Sequence, residues 1–317
     1  RTTPIVVSIC AVKGLIMPKT SSRAITSAAG TADVIETIAK VDFSAQEVEK
    51  IVRETNACLV GGGALGIVPA DSKIIVIEKK LKIDPQAMLL ASIMSKKLAV
   101  GSTHILIDIP YGEGAKVSKN QALKLKKKFE KIGRYFHKKI KCVLTDGTQP
   151  IGNGIGPALE LIDVIKILNP HETGPKDLEE KSLFLAAHLL ELTGKTKKGQ
   201  GLKLAKEILY SGKAFEKFKE IIKAQGGSLK KIKLAKFKKD ILSKRSGRIL
   251  EIHNQEINFL ARLAGCPADK SAGIYIYPSI GERVRKNKKL LTIYTNSKIR
   301  LKEAIEFYKA KKPIRIT

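Results

Sequence analysis

A stretch of hydroxyl-bearing and small residues near the N-terminus has the composition of an anion-binding loop. It covers residues 19–33 and reads KTSSRAITSAAGTAD. Small side chains allow a ligand to approach the backbone closely, and Arg23 supplies a planar fork of donors that suits phosphate. Thr31 has the chemistry of a helix cap, and a helix beginning there would offer free N–H groups to an anion. We expect a phosphate-binding loop, with an ordinary polar loop before a capped helix as the alternative.

Regular elements on both sides would hold this loop in place. The β-branched run over residues 5–9 predicts a buried strand before it, and the apolar spacing of residues 34–40 predicts a helix after it. A helix over 45–56 begins after Ser44, a good cap. A short strand over 57–60 then ends in three glycines. Strand, loop and helix recur in this order, which is typical of α/β layers.

A second group of candidate residues lies on a helix that follows Asp84. Asp84 is a favourable cap and the next residue is a proline, so we expect a helix from there to about Val100. Ser92 and Lys96 are four residues apart and share one face of that helix. Together they could grip a ligand. The alternative is that Lys96 only extends along the surface towards solvent.

A third candidate is a lysine at the end of a strong strand. Residues 104–110 are almost all apolar and predict a central strand, which leads into a glycine-rich turn carrying Lys116. Open α/β sheets bind ligands at the carboxyl ends of their strands. A helix over 118–133 and a strand over 140–144 follow, and a long glycine-rich loop leads to a helix over 158–167.

The last part of the chain has a different character. Helices are expected over 176–193, 201–208 and 213–224, and short strands alternate with helices after Gly247. We therefore predict an α/β fold with a layered central domain, a mixed sheet and flanking helices, followed by a small α+β domain. The expected boundaries are 1–239 and 240–317.

Composition limits the classes of function. The 317 residues carry a formal net charge of +29, and most of the excess lies on lysine-rich helices after residue 100, which we expect to be solvated surface. Aromatic residues make up only 5% and no nucleic-acid motif is present, so nucleic acid is an unlikely partner. No apolar run could span a membrane. The scattered cysteines suit a reducing, cytoplasmic setting, and the histidine spacing predicts no metal site.

Five motifs, in this order along the chain, resemble those of the thymidine/pyrimidine-nucleoside phosphorylase family. They are SSRAITSAAGTAD at 21–33, ASIMSKK at 91–97, DIPYGEGAK at 108–116, TDGTQPIG at 145–152 and AGCPADKSAG at 264–273. The first is most similar to the archaeal branch, whose members are AMP phosphorylases. The resemblance covers essentially the whole chain.

The resemblance implies reversible phosphorolysis of a nucleoside 5′-monophosphate. AMP and phosphate would give adenine and ribose 1,5-bisphosphate, with CMP and UMP as further substrates. Asp84 would protonate the leaving base, Ser92 and Lys116 would contact the nucleotide, and Lys96 is a weaker candidate. The phosphate-binding residues would be Ser21, Ser22, Arg23, Ala24, Ile25, Thr26, Ser27 and Thr31. The family chemistry needs no metal or organic cofactor, and inorganic phosphate is a co-substrate. The resemblance also implies that the protein forms a homo-oligomer.

Two features depart from the family pattern. Its phosphate loop of the form Lys-His-Ser-x-Gly-Gly would precede Arg1, so we expect the N-terminal part of the family fold to be absent here. The arginine that grips the pyrimidine in thymidine phosphorylases is missing, because the corresponding region reads Ile77-Glu78. This argues against a strict thymidine enzyme.

Three alternatives stay open at this point. The first is a pyrimidine-nucleoside phosphorylase. The second is a phosphoribosyltransferase of the anthranilate type, against which the C-terminal α+β domain argues. The third is a basic RNA-binding protein, whose affinity would depend steeply on salt.

Overall fold

The first element of the chain is a helix. The computed structural model describes residues 1–24, 27–63 and 86–317. Helix α1 covers Thr2–Val12, so the strand predicted over 5–9 is wrong. Residues 4–11 are all buried, and a fully buried helix gives the same apolar run as a buried strand. Pro4 lies in the first turn, where its missing N–H costs nothing.

The part of the predicted anion-binding stretch that covers residues 22–30, called the anion loop below, follows a strand that belongs to a parallel pair. Strand β1 (Met17–Ser21) lies beside β2 (Ala57–Gly61), with Ser21 opposite Gly61. Helices α2 (Thr31–Ile35) and α3 (Ala45–Thr55) connect them. The predicted cap of α3 is confirmed, because Ser44 Oγ accepts the N–H of Glu47 at 3.3 Å.

A second parallel pair carries its own apolar core. Helix α4 covers Gln86–Ala99, and strand β3 (His104–Tyr111) pairs with β4 (Lys139–Asp146). Helix α5 (Lys119–Tyr135) connects them. Apolar residues of both helices pack against those of β3 in one cluster, which contains Leu90, Met94, Leu125 and Phe129 from the helices and Ile105, Ile107 and Ile109 from the strand. The predicted strands and the helix between them are confirmed. The strand predicted over 74–77 and the start of α4 at Asp84 lie outside the described residues.

Four further helices surround α1 and form the largest core. They are α6 (Pro157–Leu168), α7 (Lys176–Leu192), α8 (Gly201–Tyr210) and α9 (Lys213–Ala224). Helices α7 and α9 pack directly on α1. The buried Phe218 of α9 belongs to this core together with Ile5 and Ile9 of α1.

Two antiparallel sheets and two helices form the C-terminal domain. Strands β6 (Phe237–Leu242), β8 (Gly273–Ile276) and β10 (Lys289–Thr295) join β5 (Gly154–Ile155) in the order β5-β8-β10-β6. The second sheet contains β7 (Gly247–Ile252), β9 (Arg283–Val284) and β11 (Ile314–Ile316). The helices are α10 (Asn254–Ala264) and α11 (Lys298–Lys311).

The predicted α/β class with a C-terminal α+β domain is confirmed. In the part of the chain that the structure describes, the core strands pair in parallel, and antiparallel pairing occurs in the C-terminal sheets. The division at 239/240 stays a prediction. Strand β5 belongs by sequence to the central domain but pairs with β8 of the other.

Candidate active site

A cleft of about 730 Å³ lies between α1, β1, α4, β3 and α7, and lysines line one part of it. Lys19 comes from β1, whereas Lys96 and Lys97 come from α4. Lys19 Nζ donates to the carbonyl of Thr20 at 2.7 Å. Burial, followed by the positive charges of Lys97 and Lys96, lowers the pKa of Lys19 to about 8.

This cationic cleft is suited to an anion. Burial also lowers the pKa of Lys97, with the charge of Lys96 adding to the effect. A lowered lysine pKa means that the protonated form is disfavoured, and an anion bound there would relieve that penalty. Asp108 lines the same cleft, but its carboxylate is engaged by Lys181 Nζ at 3.0 Å and by Thr145 Oγ1 at 2.6 Å.

The predicted juxtaposition of Ser92 and Lys96 is confirmed. Lys96 Nζ donates to Ser92 Oγ at 3.1 Å on the same face of α4. The structure therefore places the serine hydroxyl next to the ammonium group that lines the cleft. A ligand that reaches Lys96 would also meet this hydroxyl.

The anion loop, residues 22–30, lies between β1 and α2, and the structure describes its residues 22–24 and 27–30. At Gly30, a Cβ atom would lie 2.8 Å from Ala24 N and closer still to the carbonyl of Ser22, so a side chain does not fit there. Ser21 Oγ, at the end of β1, is buried and has no hydrogen-bond partner among the described residues. Ser27 Oγ donates to the carbonyl of Ala29 at 3.1 Å.

A buried carboxylate fixes the two ends of the loop. Asp33 is 3% exposed, and its Oδ2 accepts the N–H of Ala24 at 2.7 Å and that of Gly30 at 2.9 Å. The prediction that Thr31 caps α2 is therefore wrong: Gly30 is the N-cap, and Thr31 is the first helical residue. Sequence reasoning missed Asp33, although an acid three positions after an N-cap is a known signature of a helix start.

Carboxylates already surround the guanidinium of Arg23. Its Nη2 donates to Glu36 Oε1 at 2.8 Å and to Asp42 Oδ2 at 2.9 Å. Lys270, from the C-terminal domain, also ion-pairs with Glu36. The hydrogen bond from Arg23, with Lys270 in support, lowers the pKa of Glu36 to about 2. In this structure Arg23 braces the loop, and its phosphate-binding role stays a prediction.

The remaining predicted residues are placed as follows. Lys116 lies in a separate depression of about 490 Å³, formed by the turn after β3. Ser22 and Ala24 lie in the first half of the loop and Ser27 in the second. Three residues predicted to belong to the site lie outside the described residues: Ile25, Thr26 and Asp84.

Three other kinds of feature bear on the chemistry of the described residues: reactive thiols, metal sites and membrane-spanning helices. Burial raises the pKa of Cys10, Cys58 and Cys142 to about 12, so these thiols stay protonated at neutral pH. Over residues 1–24, 27–63 and 86–317, no three His, Cys, Asp or Glu side chains are grouped to hold a metal ion. Across the same ranges, none of the helices has the length and apolar character needed to cross a bilayer.

Helices with parallel strand pairs, followed by antiparallel C-terminal sheets, place the chain in the α/β class, and two family models match it. Residues 2–215 match the family described as "Glycosyl transferase family, a/b domain". Residues 249–316 match the "Pyrimidine nucleoside phosphorylase C-terminal domain". The chain belongs to this glycosyl transferase family, which confirms the resemblance seen in its motifs.

Curated relatives carry two kinds of name. A protein of Methanococcus aeolicus named AMP phosphorylase is 46% identical over 98% of this chain and 62% of its own length. A protein of Legionella pneumophila named putative thymidine phosphorylase is 44% identical over 99% of this chain and 61% of its own. The chain thus spans about three fifths of these relatives.

A solved structure shares the fold at low sequence identity. It is the anthranilate phosphoribosyltransferase of Thermus thermophilus, with a TM-score of 0.57 and 17% identity. The superposition covers 71% of this chain and 73% of that one. At this identity the likeness concerns the fold alone.

Proposed function

We propose that this chain forms the phosphate-binding and C-terminal parts of an enzyme that cleaves AMP with inorganic phosphate. The products are adenine and ribose 1,5-bisphosphate, and CMP and UMP are further substrates. Family membership and the AMP phosphorylase relatives support the reaction class. The observation that carries the proposal is the cationic cleft, where Lys19 lies with Lys96 and Lys97. Lys19 belongs to β1, the strand that leads into the anion loop.

The reaction brings two anions together, which explains the need for this cationic cleft. Inorganic phosphate attacks the anomeric carbon while the bond to the base breaks, and the nucleotide carries a second phosphate. Two nearby anions repel each other unless fixed positive charges offset them. Charge-assisted hydrogen bonds from lysines and hydroxyls also hold the attacking oxygen in line.

Individual roles follow from the predicted site. The hydroxyls and backbone N–H groups of residues 21–27, other than the N–H of Ala24 that Asp33 holds, bind phosphate groups together with Thr31. Lys19 adds positive charge. Ser92, Lys96 and Lys116 contact the nucleotide. Asp84 donates a proton to the leaving base, which carries developing negative charge as the bond breaks. An ordinary aspartate is ionised at neutral pH, so Asp84 needs burial or a bound anion to hold that proton.

The second candidate is a thymidine or pyrimidine-nucleoside phosphorylase. The putative thymidine phosphorylase of Legionella favours it, since this relative matches the chain nearly as well. Against it stands the sequence Ile77-Glu78, where a thymidine enzyme would have an arginine. The two candidates differ in whether the substrate must carry a 5′-phosphate.

A substrate panel separates the candidates. The protein from the full reading frame is incubated with AMP, CMP, UMP, adenosine, uridine and thymidine, each with phosphate or with sulfate in its place. We expect base release from the monophosphates only when phosphate is present. Release from thymidine or uridine instead would favour the second candidate, and no phosphate-dependent release from any substrate would reject both. Light scattering on the same sample tests the proposed homo-oligomer.

A further inference from the structure

Ala28, in the second half of the anion loop, is buried against the C-terminal domain. Ala28 is 2% exposed and belongs to the same apolar cluster as Leu260 and Ile274. Its N–H donates to Oδ1 of Asn258 at 2.6 Å. Asn258 lies on α10, so the loop packs against and hydrogen-bonds to a helix more than 200 residues away in sequence.

A second side chain of the C-terminal domain reaches the start of α2. Lys270 follows α10 and ion-pairs with Glu36, and its Nζ lies 4.0 Å from Asp33 Oδ1. Asp33 is the carboxylate that holds the N–H groups of Ala24 and Gly30. The backbone of Lys270 is itself fixed, because its carbonyl accepts the N–H of Ala158 at 3.0 Å.

We propose that Asn258 and Lys270 are positioning residues, through which the C-terminal domain sets the shape of the anion loop and hence its affinity for phosphate. This inference rests on the proposed function for its kinetic consequences. Neither residue needs to touch phosphate. Asn258 acts through the N–H of Ala28, and Lys270 acts through the carboxylates of Asp33 and Glu36.

The physical reason is preorganisation of a loop with small side chains. Residues 27–30 read Ser-Ala-Ala-Gly, and such a segment loses much conformational entropy when a ligand orders it. Three of the loop's N–H groups, those of Ala24, Ala28 and Gly30, are held by side-chain acceptors before any ligand arrives. Ordering that is complete before binding does not reduce the affinity.

The charge balance around Asp33 gives Lys270 a separate part. Asp33, Glu36 and Asp42 place three carboxylates beside the loop, and Arg23 and Lys270 are the cations paired with them in the described structure. Removing Lys270 would raise the excess of negative charge in this cluster from one to two. That excess would repel an incoming dianion.

The test uses matched variants in the protein from the full reading frame. Asn258→Ala removes the acceptor, Asn258→Gln keeps an uncharged amide oxygen on a longer side chain, and Gln255→Ala changes an exposed amide on the same helix. We expect Asn258→Ala to raise the KM for phosphate by about three- to tenfold, which corresponds to one lost hydrogen bond. The kcat should change less than about twofold. Asn258→Gln should restore part of the affinity, and Gln255→Ala should change nothing.

Variants at Lys270 provide a second, independent test in case the Asn258 variants do not fold. Lys270→Met should raise the KM for phosphate with little effect on kcat, and Lys270→Arg should restore it. A thermal melt of each variant identifies any that unfold. If wild-type and variant enzymes share the same KM for phosphate at both positions, the inference is wrong.

Hydrogen exchange separates failure of the inference from failure of the proposed function. The amide of Ala28 should exchange faster in Asn258→Ala than in wild type or Gln255→Ala, whether or not the protein cleaves AMP. If wild type shows no phosphorolysis, the proposed function fails, and binding of inorganic phosphate by calorimetry replaces KM as the readout. Unchanged exchange at Ala28 together with unchanged phosphate affinity would overturn the positioning role.

Discussion

The buried amide of Gln225 forms hydrogen bonds with both main-chain groups of Leu59. Its Oε1 accepts the N–H of Leu59 at 2.8 Å, and its Nε2 donates to the carbonyl of Leu59 at 3.0 Å. The same Nε2 donates to the carbonyl of Lys40 at 3.0 Å. One side chain at the end of α9 therefore pairs with β2 as a neighbouring strand would, and β2 supports β1 and the anion loop.

Replacing Gln225 should weaken the fold substantially. Gln225→Ala leaves the N–H of Leu59 without its buried partner and removes a donor to two carbonyls, which costs about 2–4 kcal/mol. The measurement is the free energy of unfolding in urea, followed by circular dichroism. The control is Gln46→Ala, because Gln46 is exposed on α3. Equal stabilities of the two variants would show that the hydrogen bonds of Gln225 contribute little.

Adding a methyl group at Gly30 should distort the anion loop. The new Cβ would lie 2.8 Å from Ala24 N, so Gly30→Ala must push the two ends of the loop apart. We expect phosphate affinity to fall by about tenfold or more, since a small misplacement at a binding site has a large effect. Calorimetry with inorganic phosphate measures it. Gly63→Ala is the control, because no atom of the described residues lies within 4 Å of its Cβ position, and it should bind as wild type.

Anion affinity should depend on pH through Lys19. Its pKa lies at about 8, so Lys19 is charged at pH 7 and mostly neutral at pH 9. Sulfate keeps the same charge over this range, which makes it the better probe. Its affinity should fall about tenfold from pH 7 to pH 9, in proportion to the protonated fraction. Lys19→Arg should reduce this dependence because a guanidinium stays charged, and the dependence that remains belongs to Lys97, whose pKa is also lowered. Affinity that is independent of pH in wild type would contradict the assignment of Lys19 to the anion site.

The role of Asp84 can be separated from helix capping by one substitution. Asn is as good a cap as Asp, so Asp84→Asn should leave the melting temperature nearly unchanged. Asn cannot donate an acidic proton, and turnover of AMP should fall by about 10²–10⁴-fold. The KM for AMP should change little. Turnover near that of wild type would mean that Asp84 is only a cap.

Contacts between residues close in sequence can be predicted from the sequence, whereas burial by distant segments cannot. The capping box at Ser44 and the shared face of Ser92 and Lys96 depend on residues three or four positions apart, so their spacing in sequence predicts their geometry. The strand predicted in place of α1 is wrong because the residues that bury this helix come from α7 and α9. An apolar run carries no information on whether a helix or a strand is buried.

Only part of the candidate site can be predicted from the sequence. The hydroxyl-rich loop after β1 and the α4 pair can be singled out from composition and spacing. Two features depend on tertiary contacts between distant segments: Lys19 lies near α4, and Asn258 contacts Ala28. No local sequence pattern predicts them. The motif that contains Lys270 resembles one of the family's motifs, but the sequence does not predict that Lys270 forms an ion pair with Glu36.

The hydrogen bond between Ala28 and Asn258 has a consequence for synthesis on the ribosome. The two residues are 230 positions apart, so the loop is translated long before the helix that holds it. At roughly 5–20 residues per second, translation of the intervening chain takes on the order of 10–50 s. Throughout that interval the nascent chain presents the loop without its C-terminal support. On the proposed positioning role of Asn258, the loop therefore reaches its final shape only after α10 has left the exit tunnel.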